Sequence, residues 1–159
     1  MNAVHGKKIL LLSVLLFLIS LVVPAFSYHG TQPTRDYCYG WLTLALGWFP
    51  AIFGLVGSPQ GQFEYIGTIS WLANPLLMTA WIGILIKSRL MSMFSGIAAL
   101  CLSCLFLLTH NIPIPDNQSM TNVSVSIGYF LWISSMVCVL VAASRLDPLL
   151  TQKVRKMVM

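Results

Sequence analysis

Two cysteines three residues apart have a spacing at which sulfur chemistry is conceivable. Cys101 and Cys104 would share one face of a helix, as a redox pair or two metal ligands would. Both lie within a long apolar run, where no water-exposed thiolate is expected, and the thiolate is the reactive form. Zinc would need further ligands, and Cys138 is expected at a different depth in its own helix. We therefore interpret the pair as small buried apolar side chains and expect no catalytic residue, metal or cofactor.

An amide next to a proline is the second feature that could carry chemistry. Asn74 and Pro75 lie in the apolar stretch SWLANPLLMTAWI, near the middle of a predicted membrane span. Pro75 cannot donate to the carbonyl of Trp71, and in lipid that carbonyl needs another partner. The Asn74 amide either repairs this kink or forms an intramembrane polar site, and we expect it to face another helix or a subunit contact rather than lipid.

Two histidines are expected at the outer ends of spans. If His29 and His110 faced each other they could ligate haem, but histidines at a membrane surface commonly contact water and headgroups. We expect no haem.

Composition sets the class of protein. The chain of 159 residues is 57% hydrophobic and 8% charged, and its mean hydropathy is +0.83. Soluble domains carry about 25% charged residues, so an integral membrane protein is expected. The net charge of +5 does not indicate a nucleic-acid partner, because eight of the nine basic residues flank apolar runs.

Four apolar runs are long enough to cross a bilayer, at about 9–26, 65–86, 90–109 and 123–143. A shorter run, 41–57, contains three glycines and a proline. If it does not cross, both termini and eight of nine basic residues lie in the cytoplasm, in agreement with the positive-inside rule. We therefore predict a re-entrant or interfacial segment on the outer face. The first run followed by Ala25-Phe-Ser27 also fits a cleaved signal peptide, although we favour a retained anchor.

The predicted fold class is all-α: a polytopic four-helix bundle at 1–144 with an additional outer helix, followed by an amphipathic cytoplasmic tail at 145–159. Basic residues of the tail, Lys153, Arg155 and Lys156, would contact anionic lipid. Aromatic residues of the outer segment form either an interfacial belt or a recognition surface for a partner: Trp41, Trp48, Phe49 and Phe53.

The span number and the Cys-x-x-Cys motif together resemble the quinone-linked, disulfide-forming membrane enzymes with four helices. That resemblance implies a thiol oxidoreductase. In that family the motif lies at the outer surface and a second cysteine pair lies in an outer loop, whereas here only Cys38 is expected on the outer side.

The stretches GWLTLALGW, WLANP and GYFLW resemble uncharacterised small bacterial integral membrane proteins with four helices. The resemblance implies a bacterial inner membrane and no particular activity.

The leading hypothesis is a non-catalytic membrane protein that acts as a sensor, an anchor, or a toxin-immunity or defence module. It would bind the bilayer and either itself or another membrane protein. A homo-oligomeric pore or transporter is the main alternative, with the thiol oxidoreductase as the enzyme alternative.

Overall fold

The computed structural model describes residues 3–29, 35–46, 69–108, 111–113 and 120–146. This part of the chain is mostly helical, in agreement with the predicted class. In chain order the helices are α1 (Ala3–Val22), α2 (Gly40–Leu46), α3 (Ala73–Leu85), α4 (Arg89–Leu105) and α5 (Ile127–Ser144). One helical turn at 69–71 precedes α3, and a short 3-10 helix, Phe106–Leu108, extends α4.

Four strands, which the sequence did not predict, form an antiparallel sheet at one end of the helices. The strands are β1 (Pro24–His29), β2 (Arg35–Tyr39), β3 (Asn111–Pro113) and β4 (Met120–Val125), in the order β2-β1-β4-β3. β1 directly follows α1, and β4 immediately precedes α5. The sheet therefore joins the end of the first long helix to the start of the last.

The strands also correct two predicted helix boundaries. α1 ends at Val22 rather than near residue 26, because Pro24 begins a strand that pairs with β2 and β4. α5 begins at Ile127 rather than near residue 123, since the backbone of Val123 and Val125 pairs with β1. In both cases hydropathy alone assigns the apolar strand residues next to a helix to the predicted span.

The long helices alternate in direction relative to the sheet. α1 runs towards it, α3 away from it, α4 towards it and α5 away from it, with α1 packed mainly on α5 and α3 on α4. The basic residues Lys7, Lys8, Lys87, Arg89 and Arg145 consequently lie at the end of the helices opposite the sheet. Between these basic ends and the sheet, the described parts of α1, α3, α4 and α5 carry no Asp, Glu, Lys or Arg.

A tight turn connects α3 to α4. The Ser88 amide donates to the Gly83 carbonyl at 2.8 Å and the Lys87 amide to that of Ile84 at 3.1 Å, with Lys87 at φ 60°. These paired bonds form a Schellman motif, which ends α3 and satisfies its last carbonyls. Gly83 is required here because a Cβ atom would lie 2.9 Å from the backbone nitrogen of Ser92 on α4.

The interior of the helix bundle is built mainly from small side chains. Buried serines lie there together with alanines and glycines at the contacts between helices: Ser13, Ser20, Ser70, Ser92, Ser103, Ser135, Ala73, Ala80, Ala99, Ala142, Ala143, Gly83 and Gly96. Leu77, Met136 and Val139 are the larger fully buried apolar side chains. Large apolar side chains are instead common on the outside, such as Leu85 at 70% and Phe94 at 73% exposure.

Among the described helices, α5 is by length and composition a candidate membrane span. Ile69–Leu85 and Arg89–Leu105 are apolar but shorter.

Candidate functional site

Asn74 lies in the first turn of α3, so it is closer to the sheet end of its helix than the predicted mid-span position. Its side chain is 7% exposed. The amide nitrogen donates to the Trp71 carbonyl at 3.2 Å, and the amide oxygen accepts a hydrogen bond from Nε1 of Trp132 at 3.0 Å. Trp132 belongs to α5, so Asn74 faces another helix, as expected.

The first of these two bonds compensates for the N–H that Pro75 lacks. Pro75 has no N–H to donate to the carbonyl of Trp71, four residues earlier. The Asn74 amide supplies a donor in its place. Pro75 itself is exposed, and its position near the start of α3 is one that helices tolerate. Asn74 therefore both repairs its own helix start and links α3 to α5.

Further polar contacts link the other helices. The hydroxyl of Ser13 on α1 donates to the Ser135 carbonyl at 2.7 Å and accepts from Nε1 of Trp81 at 3.0 Å, which joins α1, α3 and α5. The Tyr129 hydroxyl donates to the Ser103 carbonyl on α4 at 2.7 Å. Each bond satisfies a polar group that would be costly to leave unpaired in an apolar interior.

These contacts were not predicted from the sequence. The small residue Ser134 on α5 is exposed, and the Asn74 amide bonds to Trp132 instead. The sequence did not identify Trp81 and Trp132 as hydrogen-bond donors between helices, because an indole in an apolar run also fits a lipid-facing position. Only the rotation of α5 about its axis decides which residue meets Asn74.

Aromatic rings extend this region towards the sheet. The Tyr129 ring lies 5.9 Å from that of Trp132 and 5.7 Å from that of Phe106, and Phe106 lies 5.8 Å from Phe26 of β1. These centroid distances fall within the range of favourable aromatic pairs. The chain of rings forms one wall of a cavity of about 100 Å³, which is bounded by α1, β1, α2, α5 and the start of α3.

The cysteines are separated by the fold. Cys101 and Cys104 are free and exposed on α4, so the expectation that they are buried is wrong. Their helix turns them outward because Ser92, Gly96, Ala99 and Ser103 occupy its inner face. Cys38 lies on β2, and burial raises the pKa of its thiol, an effect that its 3.6 Å contact with the Thr43 hydroxyl partly offsets.

The outer segment is described only in part. Trp41 lies in α2 and is 55% exposed, while Trp48, Phe49 and Phe53 lie outside the described residues. α2 runs only from Gly40 to Leu46, so most of the predicted segment 41–57 is also outside them. Trp71 links the sheet end of α3 to α2 through a 3.1 Å hydrogen bond from Nε1 to the Leu44 carbonyl.

The remaining predicted positions do not assemble into a site in the described part of the chain. The tail residues Lys153, Arg155 and Lys156 and the histidine His110 lie outside it, and His29 is described only as a backbone position in β1. Within the described residues, no group of three or more His, Cys, Asp or Glu side chains is placed to hold a metal ion.

Comparison with known proteins gives no match: no family model fits the chain, and no curated protein or solved structure is significantly similar to it. Function is therefore inferred from the residues and contacts of this chain.

Proposed function

We propose that the chain is a multi-pass membrane protein, with α1, α3, α4 and α5 in the bilayer, that acts without catalysis through contacts made within the membrane. The observation that carries the proposal is the inverted distribution of side chains. Serine, alanine and glycine fill contacts between helices, whereas Leu, Ile and Phe side chains project outward. Lipid-embedded helices pack in this way, because apolar side chains gain nothing by leaving hydrocarbon for the protein interior.

The distribution of charge supports one orientation of such a protein. The described basic residues, apart from Arg35 of β2, lie at the end opposite the sheet, and the positive-inside rule assigns that end to the cytoplasm. The proposed location is a bacterial inner membrane, with both termini cytoplasmic and the sheet on the outer side.

A pore lined by Asn74 is less well supported by this geometry. The amide is buried within one chain and bonded to Trp71 and Trp132, so a ring of Asn74 side chains around an oligomer axis would have to break both bonds. The thiol oxidoreductase is also less well supported, since Cys101 and Cys104 project from the outside of α4 and Cys38 lies on a different element.

Membrane integration can be tested by washing isolated membranes with alkaline carbonate, which releases peripheral proteins. We expect the chain to remain in the pellet and to be extracted only by detergent. Release into the carbonate supernatant would contradict a multi-pass protein.

The interaction role needs a separate measurement. We expect particles purified in native lipid nanodiscs to contain more than one protein chain, either copies of this chain or a second membrane protein. A uniform population of single chains in native membrane would argue against action through protein contacts and would leave the bilayer as the sole partner.

A further inference from the structure

The cavity beside Asn74 has walls that are almost entirely apolar. Phe17 and Leu21 of α1, Leu44 of α2, and Trp71, Tyr129 and Trp132 contribute most of its large side chains. It lies at the end of the helices next to the sheet, where the first turn of α5 meets β1. The close approach there is fixed by Gly128, whose Cβ atom, if present, would lie 2.7 Å from the carbonyl oxygen of Pro24.

The main polar groups on these walls are bonded to the protein itself. Asn74 uses its nitrogen for Trp71 and its oxygen for Trp132, and the Tyr129 hydroxyl donates to Ser103. The hydroxyls of Ser20 and Thr43 donate to the carbonyls of Phe17 and Tyr39, at 2.6 and 3.2 Å. A hydrocarbon ligand would leave all of these contacts intact.

The size of the cavity limits the hydrocarbon to a small piece of a molecule. An engineered apolar cavity of about 150 Å³ stays dry and accepts benzene, so a cavity of about 100 Å³ suits a few carbon atoms. A short segment of an alkyl chain meets this limit, whereas a headgroup or a fused ring system does not.

We propose that this cavity binds a few carbon atoms from the headgroup-proximal part of one acyl chain of a membrane phospholipid. The inference rests on the proposed membrane location, which supplies the ligand. Exposed apolar residues directly follow three cavity residues in the sequence and would contact acyl chains in a bilayer: Leu18, Val22 and Leu72.

The test uses the full-length protein in nanodiscs that contain a phospholipid with a diazirine in the headgroup-proximal part of one acyl chain. After illumination, labelled peptides are mapped by mass spectrometry. Labelling of cavity residues in α1, α2 and α5 should saturate as the probe fraction rises, because one site is being filled. Labelling at Phe94, which is 73% exposed on α4, should rise in proportion to the probe and serves as the internal reference.

A matched pair of variants identifies the cavity as the site. Thr43 and Thr79 each donate a hydrogen bond to the carbonyl four residues earlier, but only Thr43 lines the cavity. Thr43→Leu should reduce cavity labelling at least fivefold, and Thr79→Leu should leave it unchanged. Ala25→Leu fills the cavity from β1 and provides a second variant if Thr43→Leu does not fold.

Several results would overturn the proposal. They are cavity labelling that rises in proportion to the probe in the wild-type protein, labelling that is equal in Thr43→Leu and Thr79→Leu, and saturable labelling by a diazirine free fatty acid but not by the phospholipid. Release by alkaline carbonate would instead refute the membrane location before any probe is added, so the two failures are distinguishable.

Discussion

Replacing Asn74 by alanine should destabilise the protein mainly through two identifiable hydrogen bonds. The bond from Trp132 has the usual N–H···O length at 3.0 Å, and its loss leaves an indole donor without its acceptor. The bond to the Trp71 carbonyl is longer, at 3.2 Å. Interhelical hydrogen bonds in membranes contribute about 0.6–2 kcal/mol and a typical local hydrogen bond about 0.5–1.5 kcal/mol, so we expect about 1 kcal/mol from each contact and about 2 kcal/mol in total.

Pro75→Ala separates the two contributions. The alanine introduced by this substitution has an N–H that can donate to the Trp71 carbonyl, so in that background the Asn74 amide is no longer needed to repair the helix. Asn74→Ala should then cost only about 1 kcal/mol, the part due to Trp132. The measurement is the free energy of unfolding in mixed micelles titrated with SDS, followed by circular dichroism for the wild type, both single variants and the double variant.

Thr79→Ala is the control on the same helix. It removes a hydroxyl that donates to the Pro75 carbonyl at 2.8 Å but links no second helix, and we expect a change below about 0.5 kcal/mol. An Asn74→Ala variant that unfolded like the wild type would refute the predicted role of both bonds. An equal cost of Asn74→Ala in the wild-type and Pro75→Ala backgrounds would refute the role of Asn74 as the replacement donor to the Trp71 carbonyl.

Three further predictions concern other parts of the fold. Changing both Cys101 and Cys104 to Ala should leave stability and function intact, because both thiols are free and exposed on α4; complete loss of function would restore the oxidoreductase hypothesis. Gly83→Ala should lower the free energy of unfolding by about 1–3 kcal/mol, because its Cβ atom would lie 2.9 Å from a backbone nitrogen of α4, while Gly6→Ala, with nothing within 4 Å, should not be destabilising. In a variant that keeps Cys38 as its only cysteine, alkylation should accelerate at a higher pH than for an exposed thiol, because burial raises the pKa of Cys38; an alkylation profile like that of a free thiol would contradict this.

The helices could be predicted from the sequence better than their surroundings. An apolar run signals a helix in lipid whichever way its residues face, so α4 was located to within a few residues of its ends. For the same reason, an apolar run does not show where a helix ends and a strand of the sheet begins. Val123 and Val125 are as apolar as the helix that follows them, and only pairing with β1, about a hundred residues away in the chain, makes them a strand.

Only one of the two Asn74 hydrogen bonds could be predicted from the sequence. Because Pro75 has no N–H, the sequence shows that the Trp71 carbonyl lacks its usual hydrogen-bond donor. The Asn74 amide next to Pro75 can donate in its place. The residue that donates to the Asn74 amide oxygen could not be predicted, since it depends on how α5 is rotated against α3. The cavity was not foreseen either, because it arises where α1, α2, α3, α5 and β1 come together.

The central claim, that four helices cross a membrane with the basic end inside, is tested most directly by topology reporters. Two reporter enzymes would be fused separately after Lys87, Asn117 and Met159. One is active only in the cytoplasm and the other only outside it. We predict that the fusions at Lys87 and Met159 report the cytoplasm and that the fusion at Asn117 reports the outside. Fusions that all report one compartment, or a fusion at Lys87 that reports the outside, would contradict the claim.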